Sequence, residues 1–307
     1  MHLLITGAWR DADRYFDRLK SMGHEICFMQ QEKDALPCKP DWVEGLIGNG
    51  FFLYHPIEQF ENLRYIQLTS AGYDRVPMDY IQMNHIKIHN ARGVYSIAMA
   101  EFAMCGVLQL YKQSKYFMNN QEQYCWNKHR GLLELYHKNV CIVGCGNVGT
   151  ECAKRFAAFG CNVYGVDKYP QNNKNYLHML PLNELDRGLT FADVVILTLP
   201  LTEETLHLMD DTRFSNMKEG AVIVNIARGA LVDTDAFVRH LPHLRGAVLD
   251  VFEEEPLQHD HFLWQLENVL ISPHNSFVSD GNACRLAGVI LDNLEDNDEN
   301  TSNVSEK

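Results

Sequence analysis

No window of the 307-residue sequence reaches the roughly 18 uninterrupted apolar residues that a membrane-spanning helix needs. The chain starts directly in a strand-like run, His2-Leu-Leu-Ile-Thr-Gly-Ala-Trp9, with no basic leader ahead of it. The expectation is a soluble, cytoplasmic protein without membrane contact. Basic residues are scarce: 27 Lys and Arg against 40 Asp and Glu give a net charge of -13, which repels a nucleic-acid duplex or an anionic lipid surface on average. A small anionic ligand would then have to be drawn in locally by arginine or histidine. The nine cysteines are an odd set with no zinc-type C-x-x-C pair, and most lie in apolar runs. This predicts buried free thiols in a reducing compartment and no metal site. No internal repeat is visible.

What is present suits a globular α/β protein. Hydrophobic residues make up 46% and charged residues 22%, and the length allows two compact domains. Strand-like runs at His2–Thr6, Glu25–Met29, Gly45–Ile47, Tyr65–Leu68 and Ile86–His89 alternate with polar or amphipathic stretches, which predicts a parallel α/β unit at the start. Ser96 to Tyr116 reads as one long helix connecting two domains. A second series follows near Val140, Val163, Val194–Leu197, Val222–Asn225, Ala247–Val251 and Val269–Ile271, six strands in all. A helix from Asn282 to Leu294 is expected next, and then a disordered acidic tail over 296–307.

The densest signal lies between Asn139 and Asp167, where an apolar β-branched run leads into Gly144-x-Gly146-x-x-Gly149, an amphipathic stretch from about Val148, a second apolar run and an acid. Gly144 permits a tight turn, Gly146 leaves room for a pyrophosphate, and Gly149 lets helix and strand pack closely. The helix N-terminus, around Asn147 and Val148, offers N–H groups and positive dipole to an anion. Asp167 stands eighteen residues after Gly149, at the end of the second strand, where its carboxylate can accept from a ribose diol and repel a 2′-phosphate. NAD is favoured over NADP, although Lys168 next to it softens that repulsion.

Three stretches further on place charged groups at strand ends, where open α/β sheets build their sites. Arg228 follows an apolar strand and precedes Gly229; its guanidinium can grip a carboxylate through two parallel hydrogen bonds. His274, between Pro273 and Asn275, suits proton exchange near neutral pH. One of Glu253, Glu254 and Glu255 could support its second ring nitrogen. On spacing alone, an arginine closing a strand end and a solvated histidine, one of fourteen, fit equally well.

Taken together, these motifs resemble the D-isomer-specific 2-hydroxyacid dehydrogenases, over roughly three quarters of the chain from Tyr65 to Glu295. Ser70-Ala-Gly-Tyr-Asp74 is similar to the loop whose N–H groups, here at Ala71 and Gly72, bind the substrate carboxylate. Asn90 to Phe102 resembles the interdomain hinge. Ala192 to Thr202, followed by Glu204-Thr205, resembles the strand and loop on the adenine side, which brings in Leu199, Pro200 and Thr205. The resemblance places Ile226 and Ala227 against the cofactor, Asp250 at the nicotinamide carboxamide, and Arg228, Glu255 and His274 on the catalytic arginine, glutamate and histidine, with Arg228 and His274 also touching cofactor and substrate. Glu255 is chosen among the three glutamates because the family's acid stands directly before proline.

The resemblance implies two Rossmann-like or flavodoxin-like domains with doubly wound parallel sheets. The substrate domain would comprise 1–94 and 279–295, with the C-terminal helix returning to it, and the NAD domain 95–278. The two could close over the substrate. It also implies reversible hydride transfer between NADH and a small 2-oxo acid, and a homodimer formed through the cofactor domain. A rival from another class is an NAD(H)-sensing binding protein, similar to the co-repressors built on this scaffold, with little or no turnover.

Overall fold

The computed structural model describes the backbone of residues 1–302 and the side chains of 1–297. The chain divides into two units, Met1–Tyr95 with Ser279–Lys307, and Ser96–Val278.

The first unit is a five-stranded parallel sheet of β1 (His2–Thr6), β2 (Glu25–Met29), β3 (Gly45–Gly48), β4 (Tyr65–Leu68) and β5 (Lys87–His89), in the order β2-β1-β3-β4-β5. That order, 2-1-3-4-5, is the flavodoxin-like winding. Helices α1 (Phe16–Ser21) and α2 (Met78–Met83) join it, as does the C-terminal helix, Asn282–Ser302. One side of the sheet buries Leu3, Ile5, Ile47 and Tyr65 with Leu286, Ala287, Ile290, Leu291 and Leu294 of that helix. The C-terminal helix passes the expected end at Leu294 and takes in the first residues of the expected tail. After Gly288 no glycine or proline stops it, so its backbone hydrogen bonding carries on to Ser302, and Asn293 anchors it by donating to Gln67 Oε1 at 2.8 Å. The remainder of the expected tail, 303–307, lies outside the described residues.

The second unit carries seven parallel strands, β6 (Asn139–Val143), β7 (Asn162–Asp167), β8 (His178–Pro181), β9 (Val194–Leu197), β10 (Val222–Asn225), β11 (Gly246–Leu249) and β12 (Val269–Ile271). Their order is β12-β11-β10-β9-β6-β7-β8. The sequence pattern predicts six of these. β8 escapes it because four residues at the sheet edge, ending in proline, need no apolar run. In the middle strands both faces are covered, so β9, β10 and β11 are buried at every position, which is why their sequences are apolar throughout except for Asn225 at the end of β10.

Helices α3 (Ser96–Lys112), α4 (Ser114–Glu122), α5 (Asn147–Ala158), α6 (Leu185–Phe191), α7 (Asp211–Asn216) and α8 (Thr234–His240) complete the unit. The single helix expected over Ser96–Tyr116 is thus two. Gln113 adopts a left-handed conformation with φ 53°, and its side chain turns back to donate to the Leu110 carbonyl at 3.0 Å, which ends α3 there. Within α3, Gly106 packs so tightly on β11 that a Cβ would stand 2.6 Å from Val248. Among the described residues, no helix is long and apolar enough to cross a membrane.

Candidate active site

Chain order reverses between β6 and β9, the switch point at which doubly wound sheets hold ligands beyond their carboxyl ends. The glycine turn sits there. Gly144 has φ +98°, a conformation that L side chains avoid. A Cβ on Gly149 would lie 2.0 Å from the Gly144 carbonyl oxygen, so α5 rides directly on the turn. Beside Gly146, by contrast, a Cβ would meet nothing within 4 Å. No side chain caps α5, and Gly146 and Asn147 are exposed. Open space before uncapped N–H groups is a cradle for a phosphate.

Asp167 ends β7 and steadies this turn from the side. Its Oδ2 accepts from Cys145 N at 2.7 Å and its Oδ1 from Tyr169 N at 2.9 Å. Each oxygen keeps a lone pair for a further donor, as a ribose hydroxyl would be. On the other flank of β6, Leu199 is buried and Pro200 exposed. The Thr205 hydroxyl donates to the Pro200 carbonyl at 2.8 Å and accepts from Thr202 N at 2.7 Å, so this buried side chain shapes the loop from within. These residues fit a dinucleotide, with the phosphates at α5 and the adenosine end between Asp167 and the Thr205 loop.

The charged residues stand at the ends of three neighbouring strands, β10, β11 and β12, whose registers pair Asn225 with Leu249 and Leu249 with Ile271. After β10, the buried Asn225 accepts from Ala227 N at 3.1 Å and donates to the Arg228 carbonyl at 2.9 Å, folding the backbone into a tight turn. Ile226 and Ala227 are buried inside it, and Arg228 is half-buried. Gly229 touches the Phe252 backbone, where a Cβ would lie 1.8 Å from the carbonyl carbon. The arginine turn and the glutamate loop are therefore packed directly together.

The Glu255 carboxylate accepts from Phe252 N at 3.1 Å and lies 2.8 Å from His274 Nδ1. This settles which glutamate faces the histidine. Glu253 is engaged elsewhere: Oε1 lies 2.6 Å from His207 Nε2, and Oε2 accepts from Thr234 N at 3.0 Å. Burial pushes the Glu253 pKa up, but the hydrogen bonds from Thr234 and His207 outweigh it and hold the carboxyl below the ordinary glutamate range.

His274 has φ 51° and donates its backbone N–H to the Asp250 carbonyl at 2.8 Å. Asp250, expected at the nicotinamide carboxamide, is fully buried and commits its carboxylate to the loop that carries His274. Oδ1 accepts from Asn275 N at 2.7 Å and from the Ser272 hydroxyl, and Oδ2 accepts from Ser276 N at 2.9 Å. The outcome is a half-exposed imidazole on an over-determined loop, with Nδ1 held by a carboxylate and Nε2 left to meet a reactant. Asn225, Ser272, His207 and Thr234 had no signal in the sequence beyond being polar residues beside strand ends.

In the first unit, Asn90 donates to the Ala71 carbonyl at 2.7 Å and the Ser70 hydroxyl to the Gly72 carbonyl at 3.1 Å, so the loop after β4 is also held in one shape. Among the described residues, no group of three or more His, Cys, Asp or Glu could hold a metal ion.

Residues 104–276 match the family model for the D-isomer specific 2-hydroxyacid dehydrogenase NAD binding domain. The chain belongs to the D-isomer specific 2-hydroxyacid dehydrogenase family. It is 32% identical over 255 residues to a glyoxylate reductase of Thermofilum pendens, covering 80% of this chain and 72% of that protein. Among solved structures, a D-isomer specific 2-hydroxyacid dehydrogenase family protein from Aeromonas salmonicida superposes with a TM-score of 0.79 at 28% identity, over 95% of this chain and 93% of that one. A family member from Xanthobacter autotrophicus, in complex with NADPH and MES, gives a TM-score of 0.76 at 25% identity, over 94% and 92%. The strand-end row and the glycine turn both lie within the matched residues.

Proposed function

We propose that the protein reduces small 2-oxo acids with NADH and runs the reverse oxidation of D-2-hydroxy acids. The observation that carries this reading is the 2.8 Å contact between His274 Nδ1 and Glu255, on a loop fixed by Asp250 and one strand away from the Arg228 turn. Bound NADH supplies the hydride. The chain's own part is to hold the acid, polarise its carbonyl and deliver one proton. Arg228 presents a permanent cation for the carboxylate and carbonyl oxygen. The N–H groups of Ala71 and Gly72 offer hydrogen bonds to the same class of anion. His274, oriented through Nδ1 by its carboxylate partner, passes the Nε2 proton to the substrate oxygen; in the reverse direction it takes that proton back. Asp167, a carboxylate at the ribose position, favours NAD over NADP.

Loss of NADH absorbance on adding glyoxylate, hydroxypyruvate or other 2-oxo acids tests the proposal. His274→Asn should lower kcat by about 10²-fold or more, the usual scale for general acid–base catalysis. NADH binding without turnover of any 2-oxo acid would instead support a nucleotide-sensing protein. For self-association through the cofactor unit, the apolar groove between α3 and α5, with the half-buried Leu108 and the 49% exposed Phe159, is the surface we favour; light scattering of the purified chain tests it.

A further inference from the structure

The ends of β9, β6 and β7 lie side by side, with Val143 paired to both Val166 and Leu197. Lys168 follows Asp167 at the end of β7, and Glu204 belongs to the loop after β9. Even so, Lys168 Nζ lies 2.5 Å from Glu204 Oε2. Since β6 stands between the two strands, the pair arches over two strand spacings, about 10 Å, across the crevice above the glycine turn. Glu204 is placed for this by the turn that Thr205 locks through Pro200 and Thr202. The side chains are 51% and 63% exposed, so the pair contributes little to stability. Its effect is on the placement of charge.

A ribose that meets Asp167 turns its 2′ position toward this strap. A 2′-phosphate there brings about -1.5 to -2 charges against the fixed Asp167 carboxylate. Lys168, next to Asp167 in the chain, is a cation placed to compensate, and Glu204 already holds it. Asp167, Lys168 and Glu204 together present one net negative charge. Without Glu204 they would present none, and the ammonium would be released toward the phosphate. We propose that Glu204 is a specificity-determining residue that withholds Lys168 from a 2′-phosphate and so sets the preference for NAD(H) over NADP(H). This rests on the dinucleotide reading of the site.

The test is equilibrium binding of NADH and NADPH, followed by nicotinamide fluorescence, which needs no turnover. Relative to the unaltered protein, Glu204→Gln should lower the NADPH-to-NADH ratio of Kd values by about two- to fivefold at low salt, the scale of one exposed charge contact. Adding Lys168→Met to that variant should cancel the gain, and so should high salt. A ratio unchanged in Glu204→Gln, or a gain that survives Lys168→Met, overturns the role of Glu204 and leaves the dinucleotide site standing. Failure of the unaltered protein to bind either dinucleotide overturns the site, and this inference with it.

Discussion

Asp250→Asn isolates what a buried carboxylate does for the histidine loop. Oδ1 accepts two hydrogen bonds, from Ser272 and Asn275 N, and Oδ2 accepts one from Ser276 N. Replacing either oxygen by an amide nitrogen sets a donor against a backbone N–H, the buried one of Ser276 or the half-buried one of Asn275, whichever way the amide turns. One unmet buried donor costs about 1–3 kcal/mol, and the acceptor lost here was charged. For a unit of this size, about 2–4 °C of Tm is lost per kcal/mol, so the melting temperature should fall on the order of 5 °C. The loop would settle with His274 displaced, and an error of about 1 Å at a reacting group lowers rates by up to about 100-fold. kcat should therefore fall at least about tenfold. Thermal melting by circular dichroism and steady-state turnover with NADH read the two effects. If instead Asp250 acted solely by contacting the cofactor, NADH affinity would drop while Tm stayed within about 1 °C of the unaltered protein, far less than one unmet donor predicts. That outcome refutes the positioning argument.

Two further outcomes follow from the shifted groups. Because burial raises the Glu253 pKa less than Thr234 and His207 lower it, the carboxylate contributes stability above its unfolded pKa that disappears as pH falls through its lower folded value. The Tm gap between the protein and Glu253→Gln should accordingly be largest near neutral pH and shrink below about pH 4.3, the ordinary glutamate value; a gap independent of pH would contradict this. Burial pushes the Cys145 thiol up to about 12 despite its place in the glycine turn, and Cys141 and Cys152 likewise to about 12. Iodoacetamide at mildly alkaline pH should therefore label the exposed Cys125 and Cys284 first, as read by mass spectrometry, and early labelling of Cys145 would show the turn to be open.

Much of the architecture could be read directly from the chain because parallel strands covered on both faces are written as continuous apolar, largely β-branched runs: Val194–Leu197 and Val222–Val224 announce themselves. β8 does not, since an edge strand answers to one neighbour and tolerates His178 and Pro181. The end of α3 was hidden because a glutamine in left-handed conformation leaves no local mark of the kind a glycine would. At the site, Gly144, Gly149 and Asp167 were legible from spacing, since each does its work close to its own strand end, whereas spacing marked Arg228 and His274 only as charged residues at strand ends. The choice of Glu255 depended on resemblance; its physical reason is long-range, namely that His207, 46 residues before Glu253, takes the competing carboxylate. Asn225 and Ser272 were hidden for a similar reason: burial decides their importance, and burial is a property of the assembled sheet.

The first unit's core is sewn from both extremes of the sequence, β1 near one and the helix 282–302 near the other. During synthesis, the strands of residues 2–89 emerge early but face a missing wall, whereas every strand of the second unit is supplied by one continuous stretch. The second unit has its full set of strands once Ile271 is made, and the first must wait, its apolar side in need of shielding, until Leu286 to Leu294 arrive to complete it.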